Sequence, residues 1–62
     1  MTLNELETYA KKMIKLHSEL QEDILDFVDL AKMEIKDGGS EWNECELAIS
    51  DIKELINSLE KN

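Results

Sequence analysis

The chain has 62 residues, a single cysteine and a net charge of −8, which comes from 15 acidic residues and 7 lysines without any arginine. A chain of this length has room for one domain only, and a single cysteine excludes an internal disulfide. The negative charge and the lack of arginine argue against direct binding to nucleic acid or to an anionic membrane surface.

The sequence also bears on location and origin. It holds no apolar run near the roughly 20 residues that span a membrane, and its first residues lack the basic and then apolar layout of a signal peptide. We therefore expect a cytoplasmic protein. Isoleucine and lysine are frequent, which is typical of an AT-rich bacterial or phage genome, and a phage protein would act in the cytoplasm of its host.

The first predicted element is a long helix over residues 3–36. This stretch has no glycine and no proline, and Thr2 and Glu5 have the spacing of a capping box at its start. Apolar residues and one histidine recur at alternating steps of three and four, which is the period of one helical face. This seam consists of Leu3, Leu6, Ala10, Met13, His17, Leu20, Ile24, Phe27 and Ala31.

A break at Ser18 is the alternative. Ser18 and Gln21 match a second capping box, with lysines before it and acidic residues within and after it, as at the end of one helix and the start of another. Against a break, no Gly, Asn or Pro is present to form the corner, and the seam crosses Ser18 in phase. The pattern favours the continuous helix.

The glycine pair at positions 38 and 39 predicts a turn over residues 37–40. Gly38 suits the left-handed position after a helix end, and Ser40 suits the N-cap of a last helix over residues 41–60. That helix also carries an apolar seam at steps of three and four. Its members are Trp42, Cys45, Ile49, Ile52, Ile56 and Leu59.

Helix lengths decide the predicted assembly. A last helix of about 30 Å, folded back on a helix of about 50 Å, reaches only as far as His17. The apolar face before it then needs another partner. We predict an all-α hairpin of one long and one short helix that forms a homodimeric helical bundle; the alternative is a monomeric three-helix bundle. Val28 and Ile35 lie off the seam and are expected to widen a partner-binding face. The residues predicted for self-association or for an apolar partner are Leu3, Leu6, Tyr9, Ala10, Met13, Leu16, His17 and Trp42.

Five acidic residues form the most unusual feature of the sequence. They recur at helical spacing, and no lysine lies between Glu19 and Ala31. Like charges at this spacing cost about 0.2–0.5 kcal/mol per pair. The pattern therefore indicates either a solvated face or a docking site for a basic partner surface, such as one that otherwise holds nucleic acid. We define the acidic strip as Glu19, Glu22, Asp23, Asp26 and Asp29.

Two pairs of acids resemble the pattern of an enzyme family. Glu19-x-x-Glu22 and Glu34-x-x-Asp37 are similar to the acid pairs of MazG-type nucleotide pyrophosphohydrolases, which bind magnesium between helices. The resemblance implies a metal-dependent pyrophosphohydrolase. It covers only four residues of a chain much shorter than that family needs. Both pairs fall in one predicted helix, so only a site between subunits would bring them face to face.

No other group of residues indicates catalysis. His17 lacks a catalytic partner at helical spacing, and Cys45 lies between two glutamates that oppose thiolate formation. We therefore predict a non-catalytic module without metal or cofactor. It would be a regulator or inhibitor that binds and blocks a surface of a larger protein. The alternatives are a coiled-coil-like structural or assembly adaptor and a fragment of the pyrophosphohydrolase type.

Overall fold

The computed structural model describes residues 1–61, and every regular element in that range is helical. Helix α1 runs Leu3–Leu16, a 3-10 turn spans Ser18–Leu20, α2 runs Gln21–Lys36 and α3 runs Glu41–Lys61. The predicted all-α class is confirmed. Each of the three helices packs against the other two, and the bundle measures 37 × 18 × 17 Å.

The prediction of a continuous helix over residues 3–36 is wrong. His17 ends α1 with φ −134° and ψ 67°, and the 3-10 turn follows at once. Because this φ is negative, a residue other than glycine can form the corner. The His17 N–H donates to the Met13 carbonyl at 2.8 Å, and the Leu20 N–H donates to the His17 carbonyl at 2.9 Å. The break lies where the alternative placed it, next to Ser18, but no side chain caps the 3-10 turn or α2, so the capping box of that alternative is not formed.

Packing within the chain explains why the helix breaks. The corner lays α1 against both other helices, where Leu6 is 0% and Ala10 is 3% exposed. Full burial of a leucine contributes about 1.5–3 kcal/mol, whereas a backbone hydrogen bond lost at a corner costs about 0.5–1.5 kcal/mol. The predicted homodimer depends on an apolar face of α1 that has no partner in its own chain, whereas Leu6 and Ala10 of that face are buried within this chain.

Two contacts fix the start of α1. The predicted capping box is confirmed: the Glu5 N–H donates to Thr2 Oγ1 at 3.3 Å, and the Thr2 N–H donates to Glu5 Oε1 at 3.2 Å. The Leu3 N–H donates to Glu41 Oε2 at 2.8 Å. Because Glu41 begins α3, the two helices start at the same end of the bundle and run parallel, with α2 antiparallel to both.

The turn between α2 and α3 is a Schellman motif. The Gly38 N–H donates to the Ile35 carbonyl at 3.1 Å, and the Gly39 N–H donates to the Glu34 carbonyl at 2.8 Å. Gly38 has φ +104°, so it adopts the positive φ predicted for the residue after the helix end. The Ser40 hydroxyl accepts from the Asn43 N–H at 3.4 Å, so α3 begins with the expected cap.

The core draws on all three helices. Val28 is 4% exposed, and Ile35 packs against the core, so the expectation that these two residues widen a partner-binding face is wrong. The reason is that α2 touches a helix on each side and therefore buries a wider arc than a single seam. The buried residues are Leu6, Ala10, Leu20, Ile24, Val28, Ala31, Cys45, Ala48, Ile49 and Ile52.

Candidate protein-binding surface

The residues predicted for an apolar partner face divide into three groups. Leu6 and Ala10 are buried in the core of their own chain. Leu16 and Trp42 lie at the surface, 64% and 60% exposed. The remaining four are half-buried, namely Leu3, Tyr9, Met13 and His17. The helices therefore do not present these eight residues as one open stripe.

The acidic strip lies wholly at the surface. All five of its side chains are exposed. Glu22, Asp26 and Asp29 follow one another at steps of four and three along α2, away from its buried face. Within residues 1–61 the only ion pair joins Lys32 Nζ to Glu7 Oε1 at 3.3 Å, so none of the strip carboxylates is in an ion pair.

A groove between α2 and α3 is the feature that the sequence patterns did not predict. Its apolar residues include Leu30 on α2 and Leu47 on α3, which are 54% and 59% exposed. The groove has a volume of about 140 Å³. Its full lining is Phe27, Leu30, Ala31, Glu34, Glu44, Leu47, Ala48 and Asp51. Three of these eight residues are acids and none is a lysine, so the groove is apolar with an acidic rim.

A second groove lies between α1 and α2 and differs in charge. It has a similar volume of about 120 Å³, but it contains two acids and two lysines. One acid and one lysine are the Glu7–Lys32 ion pair. Its full lining is Glu7, Ala10, Lys11, Ile14, Leu25, Val28, Asp29 and Lys32. Of these two grooves, only the one between α2 and α3 therefore combines exposed leucines with uncompensated negative charge.

The thiol of Cys45 does not belong to this surface. It is fully buried on the inner face of α3, and its pKa is raised, first by burial and then by the carboxylate of Glu41. A buried, protonated thiol is a poor nucleophile. Cys45 therefore acts as a small core residue.

The raised pKa of Cys45 predicts an alkaline loss of stability. Because the unfolded thiol ionises at lower pH than the folded one, its contribution is complete below the unfolded pKa and disappears as pH rises through the folded pKa. Between about pH 8 and pH 10, the free energy of unfolding should fall more for the wild type than for Cys45→Ala. Urea titrations at several pH values measure both falls, and equal falls would contradict the prediction.

The acid pairs that resemble the pyrophosphohydrolase pattern do not meet. Glu22 lies in the first turn of α2, whereas Glu34 and Asp37 lie at its far end. Among residues 1–61, no group of three or more His, Cys, Asp or Glu side chains could hold a metal ion. The pattern thus gains no support from the geometry of one chain.

Comparisons with protein-family models, with curated proteins and with solved structures find no match to this chain. None of the helices in the described part of the chain is both long and apolar enough to cross a membrane.

Proposed function

We propose that this protein is a non-catalytic interaction module that regulates or inhibits a larger protein by covering a basic surface on it. The observation that carries the proposal is the acidic strip, whose five side chains are exposed and form no ion pair within residues 1–61. Like charges at helical spacing cost about 0.2–0.5 kcal/mol per pair. A partner with lysines or arginines would remove this repulsion on binding.

The charge also determines how such a module would meet its partner. A net charge of −8 on 62 residues gives a strong negative field, which accelerates encounter with a basic surface and weakens with added salt. A basic surface that otherwise binds nucleic acid fits this field best, because carboxylates spaced about 5–6 Å apart are on the same scale as a row of phosphates.

A structural or assembly adaptor is the second candidate, and the exposed apolar side chains favour it. Leu16, Trp42 and Met33 are each 60% or more exposed. Such side chains could join this chain to another protein or to a second copy, as in the predicted homodimer. Apolar contacts respond little to salt, so the salt dependence of binding separates the adaptor from the charge-driven regulator.

Charge reversal on the strip tests the proposal. The triple variant E22K/D26K/D29K should keep its helical circular dichroism, since all three side chains are exposed, and should lose partner binding. The partner is first identified by affinity capture from a lysate of the source organism and then purified. Isothermal calorimetry measures its Kd at about 50 mM and 300 mM salt, where wild-type affinity should fall steeply with salt.

A matched variant controls for net charge. E46K/E54K/E60K reverses three exposed acids on α3 and changes the total charge by the same amount. It should weaken binding at low salt far less than the strip variant. If the strip variant binds as tightly as this control, or if affinity is independent of salt, the charge-driven function is refuted and the adaptor is favoured.

A further inference from the structure

We propose that the groove between α2 and α3 binds a basic amphipathic helix of the partner protein. This proposal rests on the proposed function, because it names the site at which the acidic module holds its partner and the kind of segment held there. The groove consists of two exposed leucines, two alanines, one phenylalanine and three acids.

The apolar part of the groove fits the apolar face of a helix. Leu30 and Leu47 come from opposite walls, and Ala31 and Ala48, each 4% exposed, line the space between the helices. A volume of about 140 Å³ is close to the cavities of about 150 Å³ that accept a benzene-sized group. The groove can therefore take one large apolar side chain of the partner as an anchor.

The acids on the rim define the charge of the occupant. Glu34 and Glu44 lie at one end of the groove, near the turn, while Asp51 lies farther along α3. Asp23 and Asp26 precede Phe27 and Leu30 by one helical turn, so they extend the same side of α2. An apolar anchor flanked by lysine or arginine would satisfy both features, whereas an acidic or neutral helix would satisfy only the first.

The neighbouring groove shows that this combination is specific to one side of the bundle. The α1–α2 groove pairs Glu7 with Lys32 and also contains Lys11 and Asp29. Its charges are balanced, so a basic helix would meet repulsion as well as attraction there. The α2–α3 groove has no lysine in its lining, and its charge complements a basic segment along its length.

The dimensions match the helix-in-groove mode of recognition. Glu34 follows Phe27 at a step of seven residues along α2, which corresponds to about 10 Å or two helical turns. A partner helix would therefore present apolar residues at i, i+3 or i+4, and i+7, the spacing that such grooves recognise. Basic residues on either side of that row would reach the rim acids.

A designed peptide provides the test. The probe is a fluorescein-labelled helical peptide of about 14 residues with leucines at i, i+3, i+4 and i+7 and lysines elsewhere. Fluorescence anisotropy gives its Kd for the wild type. Heteronuclear NMR of the unlabelled peptide with isotope-labelled protein maps the contact, and the largest shifts should fall on Phe27, Leu30, Glu34, Leu47 and Asp51. A peptide with glutamates for the lysines should not bind.

Two double variants separate the groove from the rest of α2. L30S/L47S removes the exposed leucines and should weaken peptide binding about tenfold or more. L25S/M33S removes two exposed apolar side chains of α2 that do not line this groove, and it should change the affinity less than about twofold. All four side chains are exposed, so both variants should fold. The NMR experiment uses only the wild type, so its result does not depend on whether the variants fold.

The outcomes distinguish this inference from the function on which it rests. If L30S/L47S binds like the wild type while E22K/D26K/D29K does not, the groove is refuted and the acidic module stands. If the wild type fails to bind the peptide, or the NMR shifts lie elsewhere, the groove is refuted. The salt dependence of binding to the natural partner then still tests the proposed function. If light scattering shows a dimer that L30S/L47S converts to a monomer, a second copy is the occupant and the inference is overturned.

Discussion

Replacement of Leu6 by alanine is expected to remove half or more of the protein's free energy of unfolding. Leu6 is 0% exposed, and it lies where α1 meets the other two helices. A buried Leu→Ala change costs about 2–5 kcal/mol. A natural domain of this size has about 3–9 kcal/mol of stability in total, at 0.05–0.15 kcal/mol per residue. The loss is therefore comparable with the whole free energy of unfolding.

Leu16→Ala is the matched control on the same helix. Leu16 is 64% exposed, so its truncation should change the free energy of unfolding by less than about 0.5 kcal/mol. Urea titrations followed by circular dichroism measure both variants, at several protein concentrations. Since the bundle buries Leu6 within one chain, the large loss should not depend on concentration. A strong dependence on concentration would show that a second chain covers α1, as the predicted homodimer requires.

The class and the caps of this fold follow from local sequence, but the corner at His17 does not. Thr2, Glu5, Gly38 and Ser40 act through neighbours within a few residues, so their roles are visible in the sequence. The end of α1 is decided by the burial of distant side chains. The capping pattern at Ser18 and Gln21 is the one local signal, and no Gly, Asn or Pro accompanies it. The apolar seam keeps its phase because both helices use the same seam to face one core.

The candidate site shows the same division. Exposure of the strip could be predicted, since charged side chains at helical spacing opposite an apolar seam must face solvent. Leu30 and Leu47 carry no such signal, because neither belongs to the apolar seam of its own helix and both side chains are more than half exposed. They form a groove only when the turn at Gly38 places α2 beside α3, so their role depends on contacts between helices.

A second large loss of stability is expected for Gly39→Ala, which changes the turn between α2 and α3. An added Cβ at Gly39 would lie 2.7 Å from the carbonyl oxygen of Glu34 and 3.2 Å from its carbon. The same carbonyl accepts the Gly39 N–H at 2.8 Å. The backbone cannot retreat from the new methyl group without stretching this hydrogen bond. We expect a loss of about 2–3 kcal/mol, the upper part of the range of about 1–3 kcal/mol for overpacking, because the clash is with backbone atoms.

Gly38→Ala is the comparison that identifies the cause. Gly38 has the unusual φ of +104°, yet an added Cβ there would meet nothing within 4 Å. Its cost is conformational strain alone, about 1–2 kcal/mol for a non-glycine residue in the left-handed region. Urea titration should therefore rank Gly39→Ala as the more damaging change, although Gly39 has the less unusual backbone. The opposite ranking would mean that the backbone angle at Gly38, and not the close approach of Gly39 to α2, limits the turn that places α3 beside α2.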